Sequence, residues 1–99
     1  MKINIPNEVS HFLITKIENI RYLTNFSGEE GFLLVSKDEI SLIVDSRFTT
    51  QAKEEVFEDV KVFEYKPPIE EFLSSNFKIE KLGLEDKIQY SFYEIFSNK

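Results

Sequence analysis

The chain has 99 residues, the length of one domain, and contains no cysteine and a single histidine, His11. Its 18 acidic and 12 basic residues give a net charge of −6, which argues against a nucleic-acid or anionic-membrane partner because both require a basic surface. Disulfide scaffolds and thiolate zinc sites are excluded, and no apolar run approaches the ~20 residues that span a bilayer. We expect one cytoplasmic domain whose 41% hydrophobic residues fill a compact core.

The first half of the chain is predicted to contain three strands and a helix. His11–Thr15 is almost wholly apolar, as in a short buried strand. Glu18–Phe26 carries apolar residues at spacings of three, which suits a helix, and Asn25 is placed to end that helix in a left-handed conformation. The runs Gly31–Ser36 and Ile40–Asp45 are separated by a short polar segment, which predicts an antiparallel hairpin.

The second half alternates helices with strands. The predicted elements are a helix over Thr49–Val56, a strand over Val60–Tyr65, a helix opened by Pro67 and Pro68, a strand over Lys78–Leu84 and a final helix capped by Asp86. Ser46 or Thr49 is expected to cap the first of these helices. Strands that alternate with helices imply parallel pairs, and the hairpin makes the sheet mixed. The predicted fold is therefore a single α/β domain, a mixed five-stranded sheet with flanking helices.

Asp45 and Arg47 follow a predicted strand, at the position where open α/β sheets bind ligands. The planar guanidinium of Arg47 can hold a carboxylate or a peptide carbonyl. A local Asp–Arg pair that merely fixes the turn explains the same residues equally well. Both interpretations stay open at this point.

The other candidates favour structural explanations. His11 has no partner for catalysis nearby and is expected to be structural. Glu29 and Glu30 lie in a glycine-bearing loop and could bind a cation or an amine, but solvated acidic loop tips are the more common case. The acidic run that contains Glu54 and Glu58 is typical of a solvated helix face.

Two motifs resemble a known family. Residues 19–28, NIRYLTNFSG, followed by GFLLV at 31–35, are similar to the "NIRYLTGFSG…G-LLV" signature of the creatinase/prolidase N-terminal domain. Residues 44–52, VDSRFTTQA, resemble the family's "VDGRYTEQA". The resemblance covers Phe12 to Phe96, and three residues depart from it, since Asn25 and Ser46 replace glycines and Phe48 replaces a tyrosine.

This resemblance implies a ribonuclease H-like fold and the non-catalytic N-terminal domain, residues 1–99, of a Xaa-Pro aminopeptidase or Xaa-Pro dipeptidase of metallopeptidase family M24. In that family a second domain of pita-bread fold holds two divalent metal ions, usually manganese. The metals activate a water that hydrolyses the bond before proline. That domain is absent from this chain, which is therefore expected to bind no cofactor itself and to be inert alone.

The resemblance also suggests partners and contact residues. The N-terminal domain of the family shapes the substrate cleft against its own catalytic domain and forms contacts in a homo-oligomer. Arg47 is the implied contact to a proline-containing peptide, and Tyr22 and Phe26 are weaker candidates for the border of the cleft. A required positive φ at Ser46 would be strained.

A second function remains open from the sequence. The same fold could be a free-standing interaction module without peptidase activity. Whether the native reading frame stops after Lys99 separates the two. Nothing in the sequence distinguishes aminopeptidase from dipeptidase.

Overall fold

The computed structural model describes residues 9–84, which form five strands and three helices. In chain order these are β1 (His11–Ile14), α1 (Ile17–Thr24), β2 (Phe32–Val35), β3 (Ile40–Val44), α2 (Thr49–Glu55), β4 (Val60–Glu64), α3 (Ile69–Asn76) and β5 (Leu82–Leu84). All eight elements predicted between His11 and Leu84 are present, with boundaries that differ by a few residues. The final helix predicted from Asp86 lies outside the described residues.

The strands form one mixed sheet in the order β4-β3-β2-β1-β5. β2 is antiparallel to both β1 and β3, whereas β1 pairs with β5 and β3 pairs with β4 in parallel. The predicted hairpin is β2–β3, in which Phe32 lies opposite Ile43 and Val35 lies opposite Ile40. The mixed five-stranded sheet predicted from the sequence is therefore confirmed.

Helices pack on both faces of the sheet. α1 and α2 cover one face through Ile20, Leu23 and Ala52, and α3 covers the other through Leu73. All five residues of β3 are buried, because this strand is covered on both faces and flanked by β4 and β2. Four of the five residues of β3 are apolar, Ser41 being the exception, and such a near-continuous apolar run is typical of a strand covered on both faces.

Helix α1 ends two residues earlier than predicted. Asn25 adopts the left-handed conformation, with φ 71° and ψ 8°, and its backbone N–H donates to the Arg21 carbonyl at 2.8 Å. Asparagine tolerates this conformation better than most residues, so it can stand where the family has glycine. Phe26 lies beyond the helix end, yet its side chain is fully buried.

The predicted cap of α2 was wrong. The N-cap position is Phe48, and no side chain caps the helix there. Thr49 is the first helical residue, and its hydroxyl donates instead to Glu64 Oε1 at 2.7 Å, with the Asp45 carbonyl as a longer, alternative acceptor at 3.2 Å. Among residues 9–84, Asn25 is the one non-glycine residue with a positive φ, so Ser46 is not strained in the glycine position.

Candidate functional site

The two motifs meet at one edge of the sheet. Because β2 and β3 are antiparallel and Phe32 pairs with Ile43, the loop that precedes β2 lies beside the turn that follows β3. This brings the loop 25–31 against the turn 45–48. The two motifs are therefore adjacent in the fold although they are separated in the sequence.

A carboxylate on α2 holds the first motif in place. Glu55 accepts the Ser27 backbone N–H at 2.8 Å and the Ser27 hydroxyl at 2.9 and 2.8 Å. Gln51 adds a bond from its Nε2 to Ser27 Oγ at 3.2 Å. The Asn25 side chain donates to the Glu55 carbonyl at 2.9 Å. The backbone and side-chain donors of Ser27 lower the pKa of the Glu55 carboxyl.

An aromatic contact also joins the two motifs. The rings of Phe26 and Phe48 meet edge to face, with centroids 6.1 Å apart. Gly28 lies against the Cζ end of the Phe26 ring, where a Cβ atom would stand 2.1 Å from Cζ. The spacing Phe-Ser-Gly in the first motif thus has a packing explanation, because only glycine leaves room for the ring.

Arg47 is held by an aspartate in its own turn. Asp45 Oδ1 accepts the Arg47 backbone N–H at 3.0 Å and Nε at 3.2 Å. Asp45 Oδ2 accepts Nη2 at 2.7 Å and Nε at 3.2 Å. The bonds from Arg47 lower the pKa of the Asp45 carboxyl. Asp45 and Arg47 therefore form the local pair that the sequence analysis gave as one of its two interpretations of these residues.

A second carboxylate reaches Arg47 from the other motif loop. Glu30 Oε2 accepts Nη2 at 2.6 Å, and the Phe48 ring lies beneath the guanidinium, 5.1 Å from Cζ to the ring centroid. Asp45 and Glu30 both raise the pKa of Arg47. The Arg47 side chain is nevertheless 62% exposed, so a ligand can reach it.

An open cleft of about 250 Å³ adjoins this arginine. It is lined by Thr15, Glu29, Glu30, Gly31, Phe32, Asp45 and Tyr65. Arg47 borders it through Glu30 and Asp45, the two lining carboxylates that it binds. Burial is the main cause that raises the pKa of the Tyr65 phenol, whose ring packs edge to face on Phe32 with centroids 5.7 Å apart.

The sequence reasoning missed Tyr65 and Phe32. A signal was available, because β3 and β4 are parallel and Val44 pairs with Glu64, which places the residues that follow both strands at the same edge. Tyr65 therefore had to lie near Asp45. The parallel pairing was predicted, but its register was not.

The other candidate residues lie away from the cleft. Tyr22 is 76% exposed on α1 and is not among the residues that line the cleft. Phe26 has no exposed surface, and its ring is part of the core. His11 begins β1, whereas Thr15 follows its other end at the cleft. Burial lowers the pKa of His11, whose Nδ1 lies 3.0 Å from Ser10 Oγ.

The described residues contain neither a grouping of metal ligands nor a helix that could span a membrane. Within residues 9–84 no three histidine, cysteine, aspartate or glutamate side chains are grouped so that they could hold a metal ion. No helix in this range is long and apolar enough to cross a membrane.

Comparison with known proteins identifies the family. The profile described as the creatinase/prolidase N-terminal domain matches residues 6–99. The chain is 31% identical over 93 residues to the uncharacterized peptidase YqhT of Bacillus subtilis (strain 168), and the match covers 90% of this chain and 26% of that protein. The chain therefore spans about a quarter of the length of this relative.

Two solved structures are similar to the chain in both sequence and fold. An Xaa-Pro aminopeptidase from Streptococcus pyogenes is 36% identical with a TM-score of 0.65, over 86% of this chain and 67% of that one. The prolidase from Pyrococcus furiosus is 29% identical with a TM-score of 0.67, over 92% of this chain and 28% of that one. The profile match over nearly all 99 residues shows that the chain belongs to the creatinase/prolidase N-terminal domain family.

Proposed function

We propose that this chain is the non-catalytic N-terminal domain of a proline-specific metallopeptidase, a Xaa-Pro aminopeptidase that hydrolyses the peptide bond before proline. The observation that carries the proposal is the family match over residues 6–99, combined with relatives in which this region is only the first part. It covers 26% of the Bacillus subtilis peptidase and 28% of the Pyrococcus furiosus prolidase. The remaining length of such proteins has room for a catalytic domain.

The metal chemistry belongs, in this proposal, to that second domain. It would hold two divalent ions, expected to be manganese, that activate water for the hydrolysis. The described part of this chain offers no grouping of metal ligands. We propose that its residues act instead by position, by closing one side of the substrate cleft and by contacting the catalytic domain and a second copy of the protein. The absence of cysteine suits a cytoplasmic location.

Arg47 is the residue that we assign to substrate contact. Arg47 is exposed and borders a cleft that has aromatic residues in its walls. Its contacts with Asp45 and Phe48 hold the guanidinium in one orientation. An arginine that is oriented in advance loses little side-chain entropy when it donates to a peptide oxygen. Tyr22 would serve only at the outer border of such a cleft, and Phe26 would act through packing.

The experiment uses the native polypeptide that contains this domain. Arg47→Ala is compared with Lys61→Ala, because Lys61 is a similarly exposed cation with an ion pair to Glu39 at 2.6 Å, away from the cleft. We expect Arg47→Ala to lower kcat/KM for Xaa-Pro peptides in the presence of Mn²⁺ by about 10- to 100-fold, the loss of one charge-assisted hydrogen bond. Lys61→Ala should leave the rate unchanged.

Three results would count against the proposal. Turnover by the 99-residue chain alone would refute its non-catalytic role. Equal rates for the Arg47 and Lys61 variants would remove Arg47 from substrate contact. A native polypeptide that ends at Lys99 would instead favour the free-standing interaction module.

A further inference from the structure

The hydrogen-bond pattern of Arg47 restricts what it can bind. Nη2 carries two hydrogens, and two carboxylate oxygens lie within bonding distance of it, Asp45 Oδ2 at 2.7 Å and Glu30 Oε2 at 2.6 Å. Asp45 also accepts from Nε. The two N–H groups of Nη1 are the donors that these carboxylates do not use.

Asp45 and Glu30 hold the arginine in different ways. Asp45 makes four hydrogen bonds to Arg47 from two residues away, one of them to the backbone, and its side chain is only 26% exposed. Glu30 makes one bond from a separate loop, and its side chain is 65% exposed. Asp45 is therefore a fixed anchor, and Glu30 is the partner that a ligand can displace.

A carboxylate and a carbonyl make different demands on this arrangement. A free carboxylate binds a guanidinium best through two parallel hydrogen bonds, which at the exposed end of Arg47 would be Nη1 and Nη2. That geometry requires Glu30 to leave. A single carbonyl oxygen needs only Nη1. Three carboxylates line the cleft, those of Glu29, Glu30 and Asp45, and the one arginine beside them leaves a net charge of −2.

We propose that Glu30 determines the ligand specificity of Arg47, by admitting a neutral peptide carbonyl and excluding a free carboxylate. This inference rests on the proposed function and deepens it. A peptide that continues beyond proline offers carbonyl oxygens, whereas a Xaa-Pro dipeptide ends in a carboxylate at the proline itself. The site therefore favours longer peptides, the substrates of an aminopeptidase, over dipeptides.

The test uses the 99-residue chain and two small probes, acetate for the carboxylate and N-methylacetamide for the carbonyl. Binding is followed by NMR through the chemical shift of the Arg47 Nε–H group. Glu30→Ala removes the competing oxygen. Glu29→Ala is the matched control, since it removes the same charge from the same loop and the same cleft but no hydrogen bond to Arg47.

We expect Glu30→Ala to strengthen acetate binding at Arg47 by about two- to fivefold, the range of one exposed ion pair. Glu29→Ala should give less than half of that gain, and N-methylacetamide binding should change less than about twofold in either variant, because it uses Nη1. Equal gains for the two alanine variants, or no gain for Glu30→Ala, would overturn the inference. The proposed function stands or falls separately, on the Arg47→Ala peptidase assay.

Discussion

The close approach of Gly28 to Phe26 gives a sharp test of how the first motif is built. An alanine Cβ at position 28 would lie 2.1 Å from Cζ, 2.6 Å from Cε2 and 2.8 Å from Cε1 of Phe26. The ring cannot swing away freely, because it is fully buried and packs edge to face on Phe48. The Gly28→Ala substitution must therefore displace a core aromatic ring or the loop above it.

The expected cost lies at the upper end of the range for overpacking, about 2–3 kcal/mol in the free energy of unfolding. Gly31→Ala is the matched control, since its nearest contact would be Val44 Cγ1 at an ordinary 3.4 Å. Neither glycine has a positive φ, so the two alanine variants differ in the room available for the Cβ atom and not in backbone strain. Gly31→Ala should be neutral or stabilising by about 0.5 kcal/mol, because alanine restricts the unfolded chain.

Urea unfolding of the 99-residue chain, followed by circular dichroism, measures both variants. Phe26→Leu adds a second check, because leucine lacks the ring atoms that the new Cβ would meet. Gly28→Ala should cost at least about 1 kcal/mol less in the Phe26→Leu background than in the wild type. If Gly28→Ala were no more costly than Gly31→Ala, the packing explanation of the Phe-Ser-Gly spacing would be refuted.

Three further predictions concern the same edge of the sheet. Asn25→Ala should destabilise the chain by about 1–2 kcal/mol in urea unfolding, since alanine disfavours the left-handed conformation. Asn25→Gly should cost less, and equal losses for the two variants would contradict this explanation. The pKa of Glu55 is lowered in the folded state, so its stabilisation is present above its ordinary value of 4.5 and is lost as the pH falls through the lowered pKa. Glu55→Gln should therefore lessen the loss of stability below about pH 4.5 in urea unfolding. The raised pKa of Tyr65 predicts a late phase in an absorbance titration that Tyr65→Phe removes and Tyr22→Phe leaves in place.

Most of the fold was predictable because local patterns and long-range packing agree. The closely spaced apolar residues of Ile40–Val44 predicted a strand, and all five residues of that strand are buried. Asn25 predicted a helix end, and it adopts the left-handed conformation there. The end of α1 was placed too late because Phe26 continues the apolar spacing of the helix although it packs from the loop.

The candidate site was less predictable, since its parts come from distant segments. The local pair of Asp45 and Arg47 is visible in the sequence because the two residues are two positions apart. The bond from Arg47 to Glu30 spans 17 positions, and that from Ser27 to Glu55 spans 28. Such contacts depend on strand register, which sequence periodicity does not specify.

The length of the native polypeptide tests the central claim most directly. An immunoblot of source cells with an antibody raised to this domain measures its mass against the 11.7 kDa of the 99 residues. We expect a band several times heavier, because the chain matches only about a quarter of the Bacillus subtilis relative. A band at 11.7 kDa would contradict the account, and the domain would then have to act without a catalytic domain in its own chain.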